Sequence, residues 1–105
     1  MKEIYISTAC LKGKKNYRRV IETFLQNGIK NIELTGVHPY KKMKSLEKTI
    51  KHYKKKGANF TFHNYFPPPK KPIVLNYLSG KKSERDKAKK IIKSSVQLAK
   101  KTGVK

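Results

Sequence analysis

Gly28-Ile29-Lys30-Asn31-Ile32-Glu33-Leu34 is the stretch on which the fold turns. Gly28 supplies the left-handed stop of a preceding helix. Asn31 to Thr35 then reads as a strand, broken by Gly36 and Pro39. On that strand Ile32 and Leu34 share one face, and Glu33 points to the other. Upstream, Tyr17, Val20, Ile21, Phe24 and Leu25 recur at helical spacing, and Asn16 is placed to cap the helix they define. Before it, Ile4, Tyr5 and Ile6 begin a first strand that ends near Thr8. The loop from Leu11 to Lys15 follows it. Downstream, Leu46, Ile50 and Tyr53 line one face of a helix predicted over about Ser45 to Lys56, with Met43 just before it and Gly57 at its end. Asn59 to His63 (NFTFH) is the third strand.

A loop of about 19 residues comes next, with the run Pro67-Pro68-Pro69 and a further proline at 72; its aromatic and aliphatic content argues for packing. The third helix is expected to start at Ser83 as N-cap, with Glu84 in the first turn and Asp86 at the capping-box position. Ala88, Ile91, Ile92, Ser95, Val96 and Ala99 mark its spacing. Lys100, Lys101 and Gly103 close it. Val104 and Lys105 read as the first residues of a further strand.

The order is therefore β-α-β-α-β-α plus the start of a fourth strand. Such alternation specifies parallel strands joined by right-handed crossovers. Two α/β architectures fit: a doubly wound open sheet, or the opening of a (β/α)8 barrel. The segment after the first strand, Ser7 to Gly13 (STACLKG), contains neither GxGxxG nor a P-loop, which removes the usual phosphate or dinucleotide signal of the open sheet. In both folds ligands bind at the C-terminal ends of the strands. The residues there are Ser7, Thr8 and Cys10, then Glu33, Thr35 and His38, then His63, Asn64 and Tyr65.

Composition sets the outer limits. The chain has 105 residues, with 27 Lys+Arg against 6 Asp+Glu and a formal charge of +21. One domain is the most this length supports. A hydrophobic content of 36% is too high for a disordered polybasic tail. No apolar run is long enough for a membrane span or a secretory signal, and the expected compartment is the cytoplasm. The lone Cys10 excludes an intramolecular disulfide and a cysteine-rich zinc site. The charge raises a nucleic-acid reading, with lysine clusters at 12, 14, 15, at 41, 42, 44, at 54 to 56 and at 87, 89, 90. Arginine, the residue that grips phosphate in a fork, occurs only at 18, 19 and 85. Lysines spread over several helices read as solvated faces, so a nucleic-acid partner ranks below a small-molecule one.

With ISTACL, NGIKNIEL, FTFHNYFPPP, IVLNYLSG and AKKTGVK in that order, the chain resembles the N-terminal part of the sugar phosphate isomerase/epimerase family. These are xylose isomerase-like TIM barrels, a superfamily that includes zinc-dependent apurinic endonucleases. The resemblance runs along essentially all of residues 1–105. It implies a partial (β/α)8 barrel of about three βα units and the start of a fourth, since whole barrels run to about 250 residues. It implies metal-assisted aldose–ketose isomerisation or epimerisation in the full barrel. The divalent metal would be held mostly by Glu, Asp and His of later strands, so none is assigned to this chain. The paired acid/base carboxylates also fall in later strands, so no proton-abstracting base is assigned.

His63 ends a strand at the barrel mouth and matches a His that lies near the substrate in the isomerases and can bind zinc in the endonucleases. It is the leading substrate-binding candidate. Glu33, a carboxylate on the inward face, is second. Asn64, Tyr65 and Phe66 would wall the pocket, and Asn76 matches an Asn of the family's following segment. His38 is expected in solvent, His52 on the helix surface, and Cys10 in packing. The substrate is a sugar or sugar phosphate. The alternatives are a basic nucleic-acid-binding or endonuclease-like protein, and a truncated chain that self-associates or needs a complementing chain through its open sheet edges.

Overall fold

A computed structural model describes residues 3–11, 15–36, 38, 40–63, 66–67 and 78–104. The described elements are β1 (Ile6–Ser7), a single 3-10 turn over Thr8–Cys10, α1 (Tyr17–Gln26), β2 (Asn31–Leu34), α2 (Met43–Lys55), β3 (Asn59–Phe62) and α3 (Lys82–Thr102). The strands form one parallel sheet in the order β1-β2-β3. The fold is thus α/β, with three helices on a three-stranded parallel sheet, an arrangement compatible with a partial βα repeat.

Each helix forms where the sequence supplies an apolar stripe. In α1, Tyr17, Val20, Ile21 and Phe24 are buried, and Asn16 Oδ1 accepts the Arg19 amide at 3.0 Å, closing one of the helix's orphan donors. Gly28 has φ +76°, the left-handed turn that lets the chain leave α1 and enter β2. In α2 the stripe is Leu46, Ile50 and Tyr53. The helix starts at Met43, two residues before the predicted start, and Met43 itself is exposed.

In α3 the buried positions are Ala88, Ser95, Leu98 and Thr102, with Ile91, Ile92 and Ala99 half-buried. Val96, expected on this stripe, lies outside it and is exposed; Leu98 takes the place. The predicted cap at Ser83 is also displaced. Ser83 lies inside the helix, and Ser79 does the work near its start. Ser79 Oγ accepts the Lys81 amide and donates to the Glu84 carboxylate, while its carbonyl accepts Arg85 at 2.6 Å. The far end closes on Gly103 at φ +69°. Lys54 of α2 reaches across to it. Its Nζ donates to the carbonyls of Thr102 at 3.0 Å and Gly103 at 2.8 Å, two acceptors that the last turn leaves open.

Strand register sorts the sheet into two faces. Ile6 pairs with Ile32 and Ile32 with Phe60, and Leu34 pairs with Phe62. This face joins Val20, Ile21, Phe24, Leu46, Ile50, Tyr53 and Leu98 in one core cluster, so all three helices cover it. Val20, Ile21, Ile32, Leu34 and Ile50 are fully buried, each contributing about 1.5–3 kcal/mol of hydrophobic transfer. The opposite face carries Ser7 beside Glu33, Glu33 beside Thr61, and Asn31 beside Asn59. None of these is fully buried.

β1 is shorter than the predicted strand. Ser7 Oγ accepts the Ala9 amide at 3.1 Å and so caps the 3-10 turn that ends the extended run. Thr8, fully buried, ties that turn to β2: its Oγ1 accepts the Thr35 amide at 3.0 Å.

Candidate functional site

The polar face gathers its groups at the C-terminal ends of the strands. β2 and β3 run in register, so Glu33 has Thr61 as its neighbour and His63 lies two residues further along the same face. The His63 amide donates to the Leu34 carbonyl at 3.0 Å, which continues the ladder one residue beyond β3 and fixes the ring's base. His63 Nδ1 then stands 3.4 Å from Glu33 Oε1. The contact is an ion pair only when the imidazole is protonated. Both side chains remain reachable: Glu33 is 32% and His63 50% exposed. On the other flank Ser7 Oγ and Thr35 Oγ1 share a hydrogen bond of 2.6 Å. At the lower end Asn59 Nδ2 donates to Asn31 Oδ1 at 2.9 Å.

The result is a shelf of hydroxyl, carboxylate and imidazole groups spread over three strands. It can accept and donate hydrogen bonds to a polyol, and the Glu33–His63 pair can hold or pass one proton. Glu33 and His63, expected separately as site residues, are therefore brought together. Asn64, Tyr65 and Asn76, the other expected site residues, lie outside the described residues. Among the described residues no group of three or more His, Cys, Asp or Glu could hold a metal ion.

Three expectations are corrected. Phe66 does not wall a pocket; it is fully buried in the core. There its ring meets Tyr17 edge-on at 5.2 Å and lies 4.8 Å from Phe62, and its amide donates to Ser95 Oγ. Cys10 is exposed at the end of the 3-10 turn rather than packed. His38, expected in solvent, is only 5% exposed. Its Nε2 lies 2.9 Å from the Thr8 carbonyl, so Nε2 carries the proton, and Nδ1 is left as a buried acceptor with no hydrogen-bond partner among the described residues. His52 stays on the surface as expected.

Tyr17 is the residue that sequence reasoning took as plain core and that the structure makes a link. Its hydroxyl donates to the Thr35 carbonyl at 2.7 Å and accepts the His38 amide at 3.4 Å. It thereby ties α1 to the segment after β2. Burial pushes this hydroxyl up to about 12, against a smaller lowering by the His38 amide. A second phenol, Tyr53, donates to the Glu22 carboxylate, which also meets Arg18 Nε at 3.3 Å. Tyr53 and then Arg18 hold Glu22 below the usual carboxylate range. Neither spacing announces these pairs, since Glu22 and Tyr53 stand 31 residues apart.

No protein-family model, curated protein or solved structure matches the chain. Among the described residues no helix is long and apolar enough to cross a membrane.

Proposed function

We propose that the chain contributes the opening βα units of a xylose isomerase-like barrel whose polar inner face binds a sugar or sugar phosphate. The observation that carries the reading is the Glu33–His63 pair, at 3.4 Å, on the open polar face at the strand ends. The face itself adds support. A sheet covered by helices on both sides reads as a near-continuous apolar run in every strand. Here Asn31, Glu33, Asn59 and Thr61 alternate with Ile32, Leu34, Phe60 and Phe62. Such alternation suits one helix-covered face and one face turned to a ligand or to solvent.

On this reading Glu33 accepts from sugar hydroxyls and orients the His63 ring, and His63 bonds or polarises an oxygen of the substrate. The family resemblance brings a divalent metal, which in such reactions stabilises an enediolate. The described residues do not assemble a site for it, and no step here is routed through one. In the full-length protein, His63→Ala should lower kcat/KM for ketose–aldose interconversion by more than about tenfold, with the fold unchanged by circular dichroism. A near-wild-type value would reduce His63 to a strand-end residue bonded to its own sheet.

A further inference from the structure

We infer that the cleft between the first turns of α1 and α2 is a binding site for a phosphate group, free or carried on a small organic molecule. This site lies on the helix side of the sheet and does not depend on the polar-face reading. The cleft measures about 670 Å³, within the range of small-ligand pockets. Its walls carry Lys15, Arg18, Arg19 and Lys41 and no carboxylate. Two of the chain's three arginines are therefore in this one place, in a protein that otherwise meets its cationic needs with lysine. A guanidinium grips two oxygens of a phosphate in one plane, which an ammonium cannot do.

The cations are available. Among the described residues Lys15, Arg19 and Lys41 make no ion pair, whereas Arg18 is engaged with Glu22 and the Tyr53 hydroxyl. The backbone acts in the same sense. Neither α1 nor α2 has an acidic residue in its first turn, and α2 starts without a side-chain cap. α3, which does not border the cleft, has Glu84 there. Among the described residues no acidic side chain in either first turn offsets the positive ends of the two helix dipoles at the cleft. Ser45 and Thr49 bring hydroxyls to the wall, while Tyr40 and Leu46 give it an aromatic and an apolar part. By contrast, a smaller cleft of about 80 Å³ between α2 and α3 includes Glu47 and no arginine.

The test is a titration of the full chain, at about physiological salt, with inorganic diphosphate and separately with adenosine diphosphate. Saturable amide shifts are expected at residues 15–19 and 41–49 in the proton–nitrogen spectrum. The double variant Arg19→Gln/Lys41→Gln, both exposed in the free chain, should weaken binding by about tenfold or more. Lys89→Gln/Lys90→Gln removes the same charge from α3 and should change it by less than about twofold. Tighter binding of adenosine diphosphate than of diphosphate identifies an organic phosphate as the occupant; equal binding identifies the free anion. Equal weakening by both double variants would overturn the site in favour of diffuse charge attraction. So would shifts scattered over the lysine faces of α3, or binding of a single-stranded oligonucleotide with no saturable response to either small probe.

Discussion

The two faces of the sheet are built from the same short strands and face different fates. On one face Ile32 and Leu34 are sealed under α1, α2 and α3. On the other, one residue away along the same backbone, Glu33 keeps a third of its side chain in reach and meets His63. The difference teaches that apolar packing and polar side chains are separated here by strand period alone. All three helices join the core on the apolar side, and the polar groups opposite keep part of their surface exposed instead of being buried unpaired.

That separation can be broken by experiment. Ile32→Ala leaves a cavity in a fully buried site and should cost about 3 kcal/mol in denaturant unfolding. Glu33→Ala, its neighbour, should cost less than about 1 kcal/mol, the range of half-exposed ion pairs. Comparable losses for the two would mean that the polar face is also structural.

The helix side should also show itself at high pH. The folded Tyr17 hydroxyl titrates at about 12 against an ordinary 10. The neutral form is the one that folding favours, so its contribution is complete below pH 10 and is lost as pH rises from 10 towards 12. The loss amounts to about 2–3 kcal/mol. Tyr17→Phe should flatten that part of the stability profile relative to the wild type. An unchanged slope would show that the hydroxyl is not buried against Thr35. The smallest effect is expected at Thr61→Val, on the polar face. A β-branched swap there should be neutral within about 0.5 kcal/mol. A loss well beyond that would place a hydrogen-bond partner on Thr61.

Much of this was legible because it is local. The α1 stripe, the Asn16 cap, the Gly28 turn and the opposition of Glu33 to Ile32 and Leu34 follow from period and backbone chemistry. What escaped is set by neighbours remote in sequence. His38 is buried because Tyr17 and Thr8 close on it from 21 and 30 residues away. Val96 and Leu98 are equally apolar, and only the packing of α3 on α2 decides which faces inward. Ser83 has the local signature of a cap, yet Ser79 reaches the same helix start from the turn before it. The site was half legible: Glu33 and His63 stand out as polar groups at strand ends. Their approach depends on the β2–β3 register, which no single strand encodes.

Lys54 has a consequence for handling the protein. With Nζ shared between the carbonyls of Thr102 and Gly103, it works as a tether rather than as a solubilising charge. Acetylation, which would trim the +21 surface, and reductive methylation, which keeps the charge, would each treat all lysines alike. At this one position acetylation removes the charge and leaves a single N–H for two acceptors, and dimethylation also leaves a single N–H. A surface redesign that swaps lysines for glutamine or glutamate has a natural exemption at position 54.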